Sequence, residues 1–197
     1  MKKRIGREKF EEDLASVNHD PEYFLSSLML DGVPRTWSEN LLDFTKWRHL
    51  VAKSIEVNPL CVLVVGSARL GYSLNPDKNF KIFDKESDID IAIISSEYFE
   101  RCWKEIRNLI KNEDIPKHEI GNIRRLLVNE CIPLDLILPS LSFGQKWKSH
   151  EDKIIMDLGE NFYGNEIKYR IYRNHDALLD YQRLSIKNSM LLIESEK

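Results

Sequence analysis

The chain has 197 residues, of which 42% are hydrophobic and 31% charged, enough apolar material for a sizeable core and too much for a disordered chain. Its 29 Lys+Arg against 32 Asp+Glu leave a formal net charge of -3, which argues against coating nucleic acid by bulk charge and leaves room for a local phosphate site. Cys61, Cys102 and Cys131 are widely spaced with no CxxC pair, so neither a disulfide framework nor a structural zinc site is expected. No apolar run approaches the roughly 18 residues that suggest a membrane span. The opening MKKRIGREKFEEDL has no apolar stretch behind its basic residues, unlike a signal peptide. The expectation is a soluble cytoplasmic protein with no membrane partner, folded as one domain.

In chain order, residues 1 to about 35 are mixed, with Pro21 and Gly32-Val33-Pro34 breaking any long helix. Ser38 reads as an N-cap for a helix with Leu41, Phe44, Trp47, Val51 and Ile55 at helical spacing, closed by Asn58-Pro59. Leu60 to Val65 is a short apolar run expected to be a strand buried on both faces, ending at Gly66-Ser67. A turn-rich stretch follows, with Gly71, Asn75-Pro76-Asp77 and several lysines; then Asp88 to Ile94 reads as a second strand. Ser95-Ser96 cap a helix from Glu97 to Asn112. Ile123 to Val128 and Ile132 to Leu138 read as two further strands around an Asn129-Glu130 turn, and the last 55 residues as mainly helical. That order predicts an α+β or α/β core with helical flanks: an N-terminal helical segment over 1–58, a core over 59–140 and a C-terminal helical segment over 141–197.

The chemistry concentrates in that core. Asp88 and Asp90 lie on one face of their strand, because alternate side chains share a face, and two such carboxylates repel unless a cation intervenes. Hard oxygen donors of this kind suit Mg²⁺ or Mn²⁺, although a lone DxD is also common on exposed strands. At Gly66-Ser67 a buried strand ends in a turn whose amides and hydroxyl can hold phosphate oxygens. Asp135 interrupts an apolar segment, which is costly unless the acid is paired, hydrogen-bonded, metal-bound or turned to water; Pro133 favours an edge strand.

Taken together, GSARLG, then SDIDIAII, then a later segment with Asp135, resemble the nucleotidyltransferase superfamily with the DNA polymerase β-like fold, and within it the small bacterial nucleotidyltransferases. Gly66, Ser67, Ala68 and Arg69, with Ser87, Asp88 and Asp90, fill the motif positions, and the likeness covers about residues 40 to 140. The resemblance implies an α+β fold with a nucleotidyltransferase-like mixed β-sheet core and flanking N- and C-terminal helices. It implies a nucleoside triphosphate, ATP among them, held by Gly66, Ser67 and Arg69, and Mg²⁺ or Mn²⁺ held by Asp88, Asp90 and Asp135. These three acids are then the catalytic residues. A nucleotidyl group would pass to a hydroxyl of a protein, an RNA 3′ end, a small molecule such as an antibiotic, or another nucleotide. Relatives of this size work in toxin–antitoxin or phage-defence systems, which adds a toxin or defence partner protein to the expectation. The other reading is a non-catalytic module of the same fold that binds a partner protein or a nucleotide.

The spacing departs from the compact members: twenty residues separate Ser67 from Asp88. Residues 73–86 are therefore either a solvated surface loop or a flap over nucleotide or acceptor. Lys168 to Arg173 interleaves basic and aromatic residues, readable as a base-stacking segment or as an amphipathic stretch docking the C-terminal helices. Arg101, Lys104, Arg107 and Lys111 read as the solvated side of a helix, and either Arg124 or Arg125 is placed to face the site. The five histidines show no metal-ligand spacing, and Trp37, Trp47, Trp103 and Trp147 are expected chiefly in the core.

Overall fold

A computed structural model describes residues 2–37 and 40–195, without the side chains of Lys2, Lys3, Arg4 and Asn161. The elements are helix α1 (Lys2–Ser16), α2 (Pro21–Phe24, widening into a π-helical stretch over Leu25–Leu30), α3 (Leu41–Ile55), strand β1 (Val62–Val65), α4 (Gly66–Leu70), β2 (Ile89–Ile94), α5 (Ser96–Lys111), α6 (Lys117–Leu127), β3 (Cys131–Pro133), α7 (Gly144–Lys148), α8 (Glu151–Leu158), β4 (Ile167–Tyr172) and α9 (His175–Ser195). The fold is α+β, built on one mixed sheet of order β1-β2-β4-β3. β2 runs antiparallel to β1 and parallel to β4, while β3 closes the far edge antiparallel to β4.

Alternation sorts the two sheet faces. Ile89, Ile91 and Ile93 of β2 and Ile167, Tyr169 and Ile171 of β4 enter the main core, packed against Trp47, Val51 and Ile55 of α3, Cys102 and Ile106 of α5, and Trp147 of α7. On the opposite face Ala92, Ile94, Cys131 and Tyr172 pack beneath Ala177 and Leu178 of α9. That second face also carries Asp90, opposite Val65 in one neighbour and Lys168 in the other. Among the described residues no helix is long and apolar enough to cross a membrane.

Several expectations change. The helix over 41–55 is present, but Asn40 caps it, its side chain accepting from the N–H groups of Leu42 and Asp43; Ser38 lies outside the described residues. β1 is an edge strand, and Leu60, expected inside it, is exposed in the preceding 3₁₀ turn. Residues 123–128, expected to be a strand, belong to α6 and the turn after it. Ile120, Ile123 and Leu127 recur at helical spacing with Ile123 buried, and this longer period outweighs the short apolar run that suggested a strand. The strand expected over 132–138 stops at Pro133, and Asp135 sits in the following turn. Residues 168–172 lie in β4, the strand between β2 and β3, and dock helix α9 as expected, through Tyr172 against Ala177 and Leu178 and Arg170 against Tyr181, but as a strand inside the sheet.

The long connection between α4 and β2 is anchored in the core on either side of residues 75–78, which are exposed. Tyr72, Leu74 and Phe80 are buried in a second core with Phe10 and Leu14 of α1, Phe24 of α2, and Ile186 and Ile193 of α9. Phe80 stacks on Phe10, and the Tyr72 hydroxyl donates to Asp13, which also accepts from Arg35. Gly6 of α1 lies so close to the Phe80 carbonyl that a Cβ there would overlap its oxygen. Trp47 and Trp147 are core residues as expected, whereas Trp103 stands 37% exposed on α5.

Candidate functional site

Gly66 has φ +66°, a left-handed conformation that lets the chain turn from β1 directly into α4. A Cβ at this position would stand 2.7 Å from Asp90 Oδ2, so the absence of a side chain lets the turn lie against the carboxylate of the neighbouring strand. On the other side of β2 a second local device sets the acidic motif. Ser87 Oγ accepts from the Asp84 N–H and donates to the Asp84 carboxylate, while the Asn165 amide donates to the carbonyls of Asp84 and Ser87. This clamp fixes the chain entering β2, which begins at Ile89 and not at Asp88 as expected, so that Asp90 lies in the strand and Asp88 just before it.

Gly66, Ser67 and Asp90 line a cavity of about 500 Å³, joined by Lys78 from the connection, Arg125 from α6 and Arg170 from β4. Tyr181, Gln182, Ser185 and Asn188 of α9 complete a polar wall. Burial pushes the Asp90 carboxyl up to about 6; Arg170 and Lys78 pull it down, and Asp88 and Asp135 add to the rise. Arg170 Nε stands 3.6 Å from Asp90 Oδ1, and its Nη1 donates to the Tyr181 hydroxyl at 2.9 Å, over whose ring the guanidinium also sits. Burial opposes the charge of Arg170, but Asp90 and the neighbouring Tyr181, Tyr172 and Cys131 more than offset this, so its pKa rises.

Asp135 lies on the far side of β4 from Asp88 and Asp90. Its carboxyl is raised by desolvation on its protein-facing side and by Asp88, against the pull of Arg170 and Lys168, so the acids sense one another across the strand that carries two cations. Among the described residues no group of three or more His, Cys, Asp or Glu side chains is gathered to hold a metal ion. The reason is topological: β4 inserts Lys168 and Arg170 where a three-acid cluster would need an acid next to β2. The Asp88–Asp90 pair nevertheless has the donor chemistry of a hard divalent cation. Its oxygens only accept when ionised, and Gly66 leaves open the space beside Asp90 Oδ2 that a Cβ would fill.

Arg69 is not brought to this cavity. It is buried, donates Nε to the Leu28 carbonyl and Nη1 to the Gly32 carbonyl, and burial lowers its pKa to about 10. It ties α4 to the segment after α2. Of the two arginines singled out on 124–125, Arg125 lines the cavity, from a helix rather than a strand. Sequence reasoning missed the role of Arg170, although IKYRIY alternates apolar and polar residues as a half-buried strand does. It also missed the polar wall of α9, which carries no signal beyond ordinary helical polarity. No protein-family model matches the chain, and neither curated proteins nor solved structures gave a match.

Proposed function

We propose that the protein is a nucleotidyltransferase that takes a nucleoside triphosphate as donor and a hydroxyl as acceptor. The observation that carries the reading is the packing of the Gly66-Ser67 turn against Asp90 at the wall of a cavity that also receives Lys78, Arg125 and Arg170. A divalent cation, Mg²⁺ or Mn²⁺, would be held by Asp90 with Asp88; Asp135, across β4 and lining a different pocket, stands outside that pair. When bound, the cation would polarise the phosphates and stabilise charge on the oxygens. The chain's own groups divide the remaining work. Ser67 and the backbone around Gly66 orient phosphate oxygens, and the three cations offset charge gathering on the leaving pyrophosphate. The acceptor oxygen attacks the α-phosphorus as the bond to the bridging oxygen of the β-phosphate breaks. The acceptor proton passes to solvent water at the open side of the cavity.

The test is transfer of α-labelled nucleotide, or release of pyrophosphate, with Mg²⁺ and each of the four triphosphates, alone and with a cell lysate as the source of acceptor. Transfer that disappears in Asp88→Ala/Asp90→Ala supports the enzyme. Asp135→Ala should leave turnover undiminished; a loss of transfer in that variant would bring the third acid into the mechanism.

A second reading, the non-catalytic binding module, is favoured by one specific observation. Arg170 already lies against Asp90, and Lys168 and Arg170 separate the acid pair from Asp135. A cavity neutralised in this way can bind a nucleotide without turning it over. Thermal stabilisation by triphosphate with no labelled product would decide for it.

A further inference from the structure

Outside the proposed nucleotide site, a groove of about 600 Å³ opens between α5 and α6. Its apolar lining is Phe99, Trp103 and Ile110 from α5 and Ile123, Leu127 and Val128 from α6 and the turn after it. The two helices make little direct contact, so this surface is left open between them. Val128 is 84% exposed and Trp103 more than a third exposed, a costly display for large apolar groups placed side by side.

The charges around the groove are uneven. At one end Arg173 is satisfied, pairing with Glu130 at 2.6 Å and Glu100 at 3.3 Å. Along the rest, Arg107, Lys111 and Arg124 line the rim, and among the described residues none of the three has a carboxylate within ion-pair distance. The Arg107 guanidinium lies over the Trp103 ring, 6.0 Å from its centroid. The sequence reading assigned Arg107 and Lys111 to a solvated face and offered Arg124 to the nucleotide site; all three line this groove, beside unpartnered apolar side chains.

We propose that this groove is the docking site for an acidic amphipathic helix of a partner protein. The partner's apolar stripe would sit on Trp103, Ile123 and Leu127, and its carboxylates would meet Arg107, Lys111 and Arg124. Charge complementarity selects this occupant. A second copy of the chain seated symmetrically would bring the same three cations against themselves. A nucleic acid would match the cations but leave the aliphatic floor of Ile110, Ile123 and Leu127 without apolar partners. The stretch of α5 from Phe99 to Lys111 is about 18 Å long at 1.5 Å per residue, which accommodates roughly three helical turns and anchors at i, i+3 or i+4, and i+7. The proposal does not depend on the nucleotide reading, because the groove shares no lining residue with the cavity beside Gly66.

The test uses the whole chain and a fluorescein-labelled synthetic helix of about four turns, with leucines at those anchor spacings and glutamates on the flanks. A lysine-for-glutamate analogue and a single-stranded oligonucleotide serve as competitors for the same surface. In fluorescence anisotropy at low salt, the acidic peptide should bind at least tenfold more tightly than the lysine analogue, and added salt should weaken it. Val128→Glu, at an exposed position that leaves folding intact, should weaken it about tenfold, and Arg107→Glu/Arg124→Glu should reverse the charge preference. Equal binding of acidic and basic peptides, or indifference to all three substitutions, overturns the proposal. So does oligonucleotide binding that exceeds peptide binding and is lost in the double variant, or a dimer in sedimentation that Val128→Glu dissociates.

Discussion

Asp90 is held between two demands. The sheet desolvates its carboxylate, which favours the protonated form, while Arg170 at 3.6 Å favours the ionised one; burial prevails and the pKa rises from 3.8 to about 6. A carboxyl with a raised folded-state pKa contributes stability that is complete below the unfolded value of 3.8 and is lost as pH rises through about 6. The loss amounts to at most about 3 kcal/mol at roughly 1.36 kcal/mol per unit. Comparing urea unfolding of the wild type and Asp90→Asn should therefore show the wild type falling behind as pH increases from about 4.5 to about 7.5. A constant difference between the two proteins across that range would remove the premise. Divalent cations should act in the opposite sense, since they favour the ionised pair. MgCl₂ at the upper pH should raise the melting temperature of the wild type, do little at the lower pH, and leave Asp90→Asn unmoved at both. Gly66, Ser67, Asp88 and Asp90 could be singled out in the sequence because each depends on local rules: a turn that needs a glycine, a strand that alternates. Arg170 depends on which strand lies next to β2, and Arg69 on which carbonyls α4 packs over. Neither fact is written near those residues.

The connection between α4 and β2 behaves as part of a helix–loop core. Phe80 has φ +52° and Asn79 φ +44°, a left-handed pair that turns the Phe80 ring inward onto Phe10. With Phe80 only 2% exposed, Phe80→Ala should cost about 3–5 kcal/mol of stability. Its neighbour Lys81, partly exposed and paired with Asp84 and Glu86, should give a change within about 0.5 kcal/mol on replacement by alanine. Equal, negligible effects in chemical denaturation would return this segment to the status of a surface loop. Its charged and turn-forming residues made it look solvated, because the aromatic residues that anchor it are single and widely spaced. Contrary errors arose at α6 and β4. IRRLLV looked like a strand when cut off from Lys117–Ile120, where the helical repeat begins. IKYRIY was absorbed into a C-terminal region expected to be helical, although period-two alternation was present. The long helix over 41–55 and the capped helix after Ser95 were legible because their apolar spacing runs for several turns.

At the scale of the molecule, the order β1-β2-β4-β3 makes the C-terminal third part of the sheet rather than an accessory to it. A core confined to residues 59–140, as the sequence suggested, would contain β1, β2 and β3 but no strand between β2 and β3. All six residues of β2 pair with β4, from Ile89 with Ile167 to Ile94 with Tyr172, and β3 pairs only with β4. Without that strand, β2 would expose a row of unpaired backbone groups beside Ile89, Ile91 and Ile93, side chains that are fully buried in the intact chain. β3 would have no partner, and the two remaining strands would form only a hairpin-like pair, marginal by itself in water. The cavity would lose Arg170 and the whole α9 wall as well. A 59–140 fragment should therefore lack a cooperative thermal transition, with far-UV circular dichroism well below the helix content of its share of the intact chain. Adding a separately expressed 141–197 segment should restore structure if β4 supplies the missing strand, and Arg170→Ala in that segment should restore the fold without restoring nucleotide binding. A 59–140 fragment that unfolds cooperatively by itself would show that the sheet closes without β4, and would return the C-terminal region to an accessory role.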